Sequence, residues 1–434
     1  MSIKAGILRS CFWVGDFFRG SPIRKEYRKI RGVMTGRSGT EEPLRQLLDF
    51  ATAHCKFYES YKGMPLASFP VVNKSVIREN IENIRVPEDE NPHQTRGVPY
   101  HVQKTSGSTG TPFAMAQDSR KRNRRLAELK YFGEEVGFRS HDELLQLRIW
   151  TKWQNKGWWQ GIKENITPFD CSVLDGERLR RLFEIVEEKS IKCIRAYAHS
   201  YDLIARHAME NGCRPHTLRV LIAGSEALTD TTRSLVEQAF PGVPIISQYA
   251  NEECGILAQE HPWQPGIFHI NRAGYILEVL KEGTDEPAGD GELGRIVLTD
   301  LTNYATPVIR YDTGDMGILQ HDESGVPYLA KLYGRKLDLI FSTSGKPVYP
   351  MYFARVLKNF KDVLQWQFIQ EGMKTYALKL NWSEPSDEAE RQMAAEIRAI
   401  LGDDAEIRVE RVADIPVLKS GKRQCVVNKY SPKP

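Results

Sequence analysis

The sequence has few cysteines, seven among 434 residues, and no CxxC pair. Scattered thiols in odd number predict reduced cysteines without a disulfide framework, as in a cytoplasmic protein. Net charge is also nearly absent, because 60 Lys and Arg residues face 56 Asp and Glu residues, which leaves +4. No basic block dominates the chain, so a nucleic-acid partner is not predicted.

Long apolar runs and repeats are missing as well. The first twenty residues, MSIKAGILRSCFWVGDFFRG, are apolar in places, but Arg9 and Asp16 interrupt them before a signal-peptide core or a membrane span forms. We predict a packed or surface helix there.

The densest basic run, SRKRNRRLAELK from Ser119, predicts an exposed helix face rather than a phosphate-binding patch. An apolar content of 41% is enough for packed cores, which excludes disorder of the whole chain.

The length predicts two domains, because 434 residues exceed the size at which one hydrophobic core usually stops growing. Helical patterns alternate with short β-rich runs such as RVLIAG, VPIISQY and RIVLTDL. This alternation predicts a mixed α/β fold. Runs such as IAGSEAL and ISQYANEECG pass directly into small or polar residues, where strand-end sites are usually built.

The last hundred residues predict a separate compact α+β unit. VLQWQFIQ and MKTYALKL flank Glu371 and Gly372, which indicates a hairpin. A helix follows, capped by Ser386 and ended by Gly402, and AEIRVERV adds a strand. The apolar residues that share one face of that helix are Met393, Ile397, Ile400 and Leu401. We place the boundary near Asp338, which gives domains 1–337 and 338–434, the second small enough to move as a lid.

The segment TSGSTGTP from Thr105 is rich in hydroxyls and glycine. Strand-like runs, PYHVQK and FAMAQD, precede and follow it, so it joins strand to strand within a domain. A P-loop joins strand to helix and carries Lys after its last Gly, whereas Gly110 is followed by Thr111. Hydroxyls and backbone amides, with Gly107 and Gly110 permitting close approach, suit an oxyanion-rich ligand such as a triphosphate.

Five further motifs follow in order: AGSEAL, QYANEECG, IRYDTGDMG, YGRKLDLI and KSGKRQCVVNK. From about residue 100 to the C-terminus the chain therefore resembles the adenylate-forming superfamily, in particular its phenylacetate:CoA ligase branch, which includes relatives found with capsular-polysaccharide genes. The resemblance implies a large N-terminal domain of mixed sheets and helices that binds ATP and a carboxylic acid, with a small mobile α+β domain behind it.

The resemblance also assigns nucleotide-binding roles. The loop residues would wrap the β- and γ-phosphates, Ser225 and Glu226 would border the adenine, and Tyr249 would stack near it. Asp315 would accept both ribose hydroxyls, a task suited to a two-oxygen acceptor, and Arg335 would lie near the ribose and α-phosphate. The nucleotide-binding set is Thr105, Ser106, Gly107, Ser108, Thr109, Gly110, Gly224, Ser225, Glu226, Tyr249, Ala250, Asn251, Asp315 and Arg335.

The same resemblance implies two catalytic residues and a hinge. Lys422, in SGKRQ, would reach the α-phosphate and the carboxylate, and the small domain would turn about Asp338. Glu253 would hold Mg²⁺. The family element Tyr-Gly-x-(Ser/Thr)-Glu reads Tyr-Ala-Asn-Glu-Glu here, so Glu252 is an alternative ligand, although the register favours Glu253.

Other positions depart from the family or stay open. Thr111 stands where many relatives carry Lys, so phosphate neutralisation would depend more on Mg²⁺ and backbone amides, with Lys104 close by in sequence. Cys254, His261 and His269 lie where some relatives bind zinc, but their spacing matches no zinc pattern and zinc is not predicted. The aromatic run IWTKWQNKGWWQ and the segment AYAHSYD around His199 are interpreted either as core or as the acid pocket.

The resemblance implies an ATP-dependent ligase that joins a carboxylic acid to AMP, releases pyrophosphate and passes the acyl group to the thiol of CoA. Three alternatives stay open. The acceptor is an amine or hydroxyl, such as an amino sugar; or it is a protein-bound phosphopantetheine thiol; or the protein binds nucleotide without catalysis. The acid itself is not predicted.

Overall fold

A computed structural model of the chain describes residues 2–104, 113–148, 158–335, 340–345, 347–348, 350–357, 359–360, 362–416 and 425–430. The α-helices are α1 (Ile3–Phe18), α2 (Pro22–Met34), α3 (Glu41–His54), α4 (Lys74–Glu79), α5 (Ile81–Ile84), α6 (Ser119–Glu135), α7 (Trp158–Glu164), α8 (Gly176–Glu188), α9 (Ala198–Asn211), α10 (Asp230–Ala239), α11 (Pro350–Leu357) and α12 (Asp387–Leu401). The strands of the N-terminal part are β1 (His101–Lys104), β2 (Ala114–Gln117), β3 (Leu144–Arg148), β4 (Ile166–Asp170), β5 (Cys193–Tyr197), β6 (Val220–Gly224), β7 (Ile245–Asn251), β8 (Gly255–His261), β9 (Gln264–Ile270), β10 (Tyr275–Leu280), β11 (Leu293–Asp300), β12 (Tyr311–His321) and β13 (Pro327–Arg335). The remaining strands are β14 (Ile340–Phe341), β15 (Pro347–Val348), β16 (Val363–Gln370), β17 (Thr375–Trp382), β18 (Glu406–Arg411) and β19 (Val426–Asn428).

A mixed sheet of 11 strands, in the order β10-β11-β12-β13-β9-β8-β7-β6-β5-β3-β4, dominates the N-terminal part. The β4-β3-β5-β6-β7 portion is parallel, and the rest is antiparallel. Parallel neighbours need crossover connections, and α7, α9 and α10 lie between the paired strands β3 and β4, β5 and β6, and β6 and β7. The runs RVLIAG, VPIISQY and RIVLTDL form β6, β7 and β11, which confirms the predicted mixed α/β class.

The prediction of an exposed basic face on α6 is wrong for two of its cations. Lys121 and Arg124 are buried, at 0% and 1% exposure. The Lys121 Nζ lies 2.5 Å from an Asp300 oxygen and 3.0 Å from the Thr302 hydroxyl, and Arg124 contacts Glu26 at 3.3 Å. A buried cation requires a paired anion. Asp300 on β11 and Glu26 on α2 therefore explain why these two cations are buried. The pattern within α6 cannot reveal partners so distant in sequence.

Strands flank residues 105–112, as predicted. β1 and β2 pair in antiparallel register, with Lys104 opposite Ala114, so the segment joins two adjacent strands. Residues 105–112 themselves lie outside the described part of the chain. The connection nevertheless starts and ends at one end of a single hairpin.

The C-terminal part forms the predicted smaller α+β domain. A four-stranded sheet has the order β18-β17-β16-β19, and β16 and β17 form the predicted hairpin. The Ser386 hydroxyl accepts from the Ala389 amide at 3.4 Å at the start of α12, and Gly402 ends the helix with φ of +125°. Helix α12 buries Met393, Ile397 and Leu401, as its apolar pattern predicts. The boundary near Asp338 stays a prediction, because residues 336–339 lie outside the described part.

The N-terminal run forms helix α1, which confirms the predicted packed or surface helix. Within the described residues, no helix combines the length and the apolarity that a bilayer crossing requires.

Candidate functional site

Three neighbouring parallel strands end together at one edge of the large sheet. Tyr197, the last residue of β5, pairs with Gly224, the last residue of β6, and Gly224 pairs with Gln248 near the end of β7. Ser225 and Glu226 follow β6, and residues 252–254 make the turn after β7. The motifs AGSEAL and QYANEECG therefore meet at adjacent carboxyl ends, which is where open α/β sheets bind ligands.

Tyr249 and Asp315, which are 66 residues apart, form a hydrogen bond at this edge. The Tyr249 hydroxyl donates to Asp315 Oδ2 at 2.7 Å and also approaches the Thr313 hydroxyl at 3.3 Å. Burial raises the pKa of Tyr249 well above its ordinary value, and the negative charge of Asp315 raises it further. The Tyr249 phenol therefore stays protonated at neutral pH. As a hydrogen-bond donor, it orients the Asp315 carboxylate.

Arg335 lies beside Asp315 across the sheet. The two residues are partners in the antiparallel pairing of β12 and β13, so their Cα atoms are about 4.5–5.5 Å apart. The side chain of Arg335 lies outside what the structure describes. The backbone register nonetheless brings together the two positions that the sequence assigns to the ribose.

Glu253 is a buried carboxylate in the turn between β7 and β8, with 3% exposure. Its backbone carbonyl accepts from the Gln117 side chain on β2 at 2.9 Å, and its Oε1 lies 3.4 Å from the Tyr311 hydroxyl. Lys74, at the start of α4, forms an ion pair with the same Oε1. A carboxylate is the ligand type that Mg²⁺ prefers, so the chemistry of Glu253 fits the ion, with Lys74 as the cation already beside it.

Glu252 faces a different neighbour. Its side chain is exposed and accepts from the Gln103 side chain at 2.8 Å, while its backbone carbonyl accepts from Arg125 at 2.8 Å. Gln103 is in β1 and Gln117 in β2, so both strands of the β1–β2 hairpin are bonded to the turn that carries the two glutamates. The hairpin that carries residues 105–112 is thereby attached to the candidate site.

His199 and Glu226 join the ends of β5 and β6. The His199 Nδ1 lies 2.8 Å from Glu226 Oε2, and the backbone amide of His199 donates to the same oxygen at 3.2 Å. The rings of Tyr197 and His199 are nearly parallel, with centroids 5.9 Å apart. The carboxylate thus lies at the N-terminus of α9, where the helix dipole favours negative charge. Ser225 precedes it, exposed and with φ of +68°.

Of the remaining nucleotide-binding set, Gly224 and Asn251 are half-buried and Ala250 is exposed. The Asn251 side chain accepts from the Cys254 amide at 2.7 Å and closes the turn. Lys104 ends β1 and is exposed. The predicted positions outside the described residues are Thr105, Ser106, Gly107, Ser108, Thr109, Gly110, Thr111, Asp338 and Lys422, together with residues 149–157 of the aromatic run.

Sequence reasoning missed Lys74. Residue Val72, two positions earlier, bridges to Tyr311 of β12: the Val72 amide donates to the Arg310 carbonyl at 2.9 Å, and the Asp312 amide donates to the Val72 carbonyl at 2.8 Å. This pairing brings Lys74 to a carboxylate far away in sequence. The local signal predicts only a helix start, since the Asn73 side chain caps α4 by accepting from the amides of Ser75 and Val76.

Cys254, His261 and His269 do not form a common cluster. Cys254 precedes β8 and His261 ends it, and seven residues of extended chain span roughly 20 Å. The rings of His261 and His269 are in contact, with centroids 4.3 Å apart, and burial lowers the pKa of His261 to about 4. Among the described residues, no three His, Cys, Asp or Glu side chains are grouped for metal binding.

Comparisons with known proteins show what the chain resembles. A family model described as "CapK C-terminal domain" matches residues 340–429. Protein CapK of Staphylococcus aureus is 24% identical over 374 residues, covering 83% of this chain and 79% of that protein. The phenylacetate-coenzyme A ligase of Thermus thermophilus is 28% identical over 222 residues, covering 48% of each chain. The chain therefore aligns with about half the length of that ligase.

Solved structures share the fold. A 2-hydroxyisobutyryl-CoA ligase in its postadenylation state, bound to 2-HIB-AMP, superposes with a TM-score of 0.71 at 18% identity, covering 89% of this chain and 88% of that one. The amide bond synthetase McbA from Marinactinospora thermotolerans gives a TM-score of 0.56 at 17% identity, covering 74% and 67%. At these identities the likeness establishes the architecture.

Proposed function

Since this chain belongs to the adenylate-forming superfamily, in the branch of CapK and the phenylacetate-CoA ligases, we propose that it is an ATP-dependent, AMP-forming acid ligase. A carboxylate oxygen attacks the α-phosphorus of ATP and pyrophosphate leaves, which gives an acyl-AMP. An acceptor thiol then takes the acyl group and AMP leaves. The observation that carries the proposal is the Tyr249–Asp315 hydrogen bond beside the Glu253 turn, at the carboxyl edge of the sheet.

Asp315, held in place by Tyr249, would recognise the ribose. The carboxylate presents oxygen acceptors to two vicinal hydroxyls, and the Tyr249 hydroxyl holds one of those oxygens in place. Arg335 occupies the position paired with Asp315 on the neighbouring strand. Ser225 and Glu226, after β6, border the adenine in this arrangement, and His199 fixes the Glu226 side chain.

Charge neutralisation is the other requirement, because a carboxylate has to approach a triphosphate. Glu253 would hold Mg²⁺, which neutralises phosphate charge when bound. Lys74 contacts the same carboxylate and is 34% exposed, so its ammonium is able to turn towards a bound phosphate. We propose that Lys74 supplies the positive charge that Thr111 does not.

Lys74→Gln tests that role. We expect kcat/KM for ATP to fall by about tenfold or more, because one charge-assisted contact to phosphate is lost. Lys74→Arg should retain most activity, and Lys62→Gln, an exposed lysine after α3, serves as the matched control. Steady-state pyrophosphate exchange at varied ATP gives the measurement. Equal kinetics for the Lys74→Gln and Lys62→Gln variants would remove Lys74 from the phosphate site.

The acceptor is proposed to be CoA. Phenylacetate-coenzyme A ligases and a CoA ligase structure are among the similar proteins, although an amide bond synthetase shares the fold too. An amine or hydroxyl acceptor is therefore the second candidate. For either acceptor, rotation of residues 338–434 about Asp338 would open the acyl-AMP to the nucleophile.

A panel of aryl, fatty, amino and sugar acids tests the proposal in two stages. Acid-dependent exchange of labelled pyrophosphate into ATP, without CoA, is expected for at least one acid. Adding CoA should then release AMP and form a thioester, whereas an amino sugar should give an amide if the second candidate is right. Tight ATP binding without exchange for every acid would indicate a catalytically silent nucleotide-binding protein instead.

A further inference from the structure

Helix α1 exposes an apolar face. Its members recur at helical spacing, so they project from one side of the helix. They are Ile3 at 83% exposure, Ile7 at 58%, Val14 at 53%, Phe17 at 67% and Phe18 at 81%. Isolated exposed apolar residues need no explanation, but five on one helix face mark an interaction surface.

The opposite face of α1 is anchored to the protein. Ala5 and Asp16 are fully buried, and the Arg9 guanidinium bonds to the Ser140 carbonyl and to Asp142, both at 2.7 Å. The Asp16 carboxylate caps α2 by accepting from the amides at its start at 3.0 Å. These contacts fix the orientation of the helix, so its apolar face points away from the core of this chain.

The exposed charges that α1, α2 and the residues flanking them themselves carry have one sign. Residues 2–37 contain nine Lys and Arg against two acids, a net charge of +7, although the whole chain carries only +4. Both acids, Asp16 and Glu26, are buried, at 0% and 5% exposure. The cations are Lys4, Arg9, Arg19, Arg24, Lys25, Arg28, Lys29, Arg31 and Arg37. The outer surface of α1 and α2 is thus apolar and basic, without an exposed acidic side chain.

We propose that α1 lies in the interface of an anionic lipid bilayer, with its apolar face among the upper acyl chains and the α1–α2 cations on the headgroups. Interfacial helices combine an apolar face with Lys and Arg flanks and aromatic residues, and Phe17 and Phe18 supply the aromatic end. Anionic headgroups attract basic segments next to the membrane. A second copy of the chain is a poorer occupant, because face-to-face pairing would bring two strongly basic surfaces together.

This inference concerns the location of the chain and stands independently of the proposed ligase reaction. It also agrees with the prediction of reduced cysteines, because the leaflet that faces the cytoplasm is the anionic one. A helix lying in the interface needs no membrane span. The bilayer would hold the chain by its N-terminal helix pair, which packs on α6 and β8.

Vesicle flotation of the full chain tests the proposal. Wild type is expected to float with vesicles of phosphatidylcholine containing about a third phosphatidylglycerol and to stay unbound with phosphatidylcholine alone, because the cations need anionic headgroups. Phe17→Ser with Phe18→Ser should lower partitioning at least about tenfold, since two large apolar side chains no longer enter the bilayer. Lys25→Gln with Arg28→Gln should lower it about 25-fold at low salt, at roughly fivefold per charge.

Two matched variants control for general effects. Met373→Ser removes an apolar side chain that is 50% exposed in the turn before β17, and Arg180→Gln with Arg391→Gln removes two exposed cations from α8 and α12. Both should float like wild type, and thermal unfolding should show that every variant is folded. Equal binding of all variants, or no binding to anionic vesicles, overturns the proposal. Wild-type dimers that dissociate in the phenylalanine variant without any flotation would instead assign the face to self-association.

Discussion

Lys422→Ala is expected to lower pyrophosphate exchange by about 10² to 10³-fold or more, the scale for removing one electrostatic donor from a transition state. The proposed role of Lys422 is to place its ammonium between the attacking carboxylate and the α-phosphate. A point charge on a flexible stem suits delivery by a mobile domain. Initial rates of exchange at saturating ATP and acid measure the effect directly.

Lys429→Ala is the matched control, because Lys429 is exposed and lies shortly after β19 in the same tail. That variant should exchange within a factor of two or so of wild type, as surface substitutions usually have small effects. Acyl-AMP supplied to Lys422→Ala should still react with the acceptor, since the adenylating charge is no longer needed. An unchanged exchange rate in Lys422→Ala would remove this lysine from the first step.

Glu253→Gln is expected to have the other large effect, a loss of about 10² to 10³-fold in exchange together with a higher Mg²⁺ requirement. The amide keeps the shape of the side chain but loses the negative charge that a hard cation requires. Glu252→Gln should remain within severalfold of wild type, because the Glu252 side chain is exposed and bonds to Gln103. Titration of exchange activity with Mg²⁺ compares the two variants.

The pair also tests which register of the Tyr-Ala-Asn-Glu-Glu element is right. A severe defect in Glu252→Gln with near-normal Glu253→Gln would transfer the metal role to Glu252. Glu253 is buried and forms an ion pair with Lys74. Its variant therefore also needs a folding control by thermal unfolding. Equal effects in both variants would contradict a single carboxylate ligand.

The sequence by itself determined the local elements and their class. The β16–β17 hairpin, the Ser386 cap and the apolar stripe of α12 all follow from short-range patterns, and the structure confirms each. The strand runs of β6, β7 and β11 are also continuous in sequence. Such features are predictable because their hydrogen bonds and apolar periodicity lie within a few residues.

Ordered motifs also indicated which positions share a site. The alignment of β5, β6 and β7 at their carboxyl ends brings residues of AGSEAL and QYANEECG to one edge. The hydrogen bond between Tyr249 and Asp315 joins two motifs, but its existence depends on the placement of β12 relative to β7. The sequence named both residues without indicating that they touch.

Only the tertiary structure decided the ionic partners. Lys74 meets Glu253, Lys121 meets Asp300 and His199 meets Glu226 because strand pairing and helix packing bring distant segments together. A basic run in sequence looks solvent-exposed until the carboxylates that neutralise it are located, and α6 shows this error. Charge pairing acts through space over a few ångströms, so the linear order of residues does not encode it.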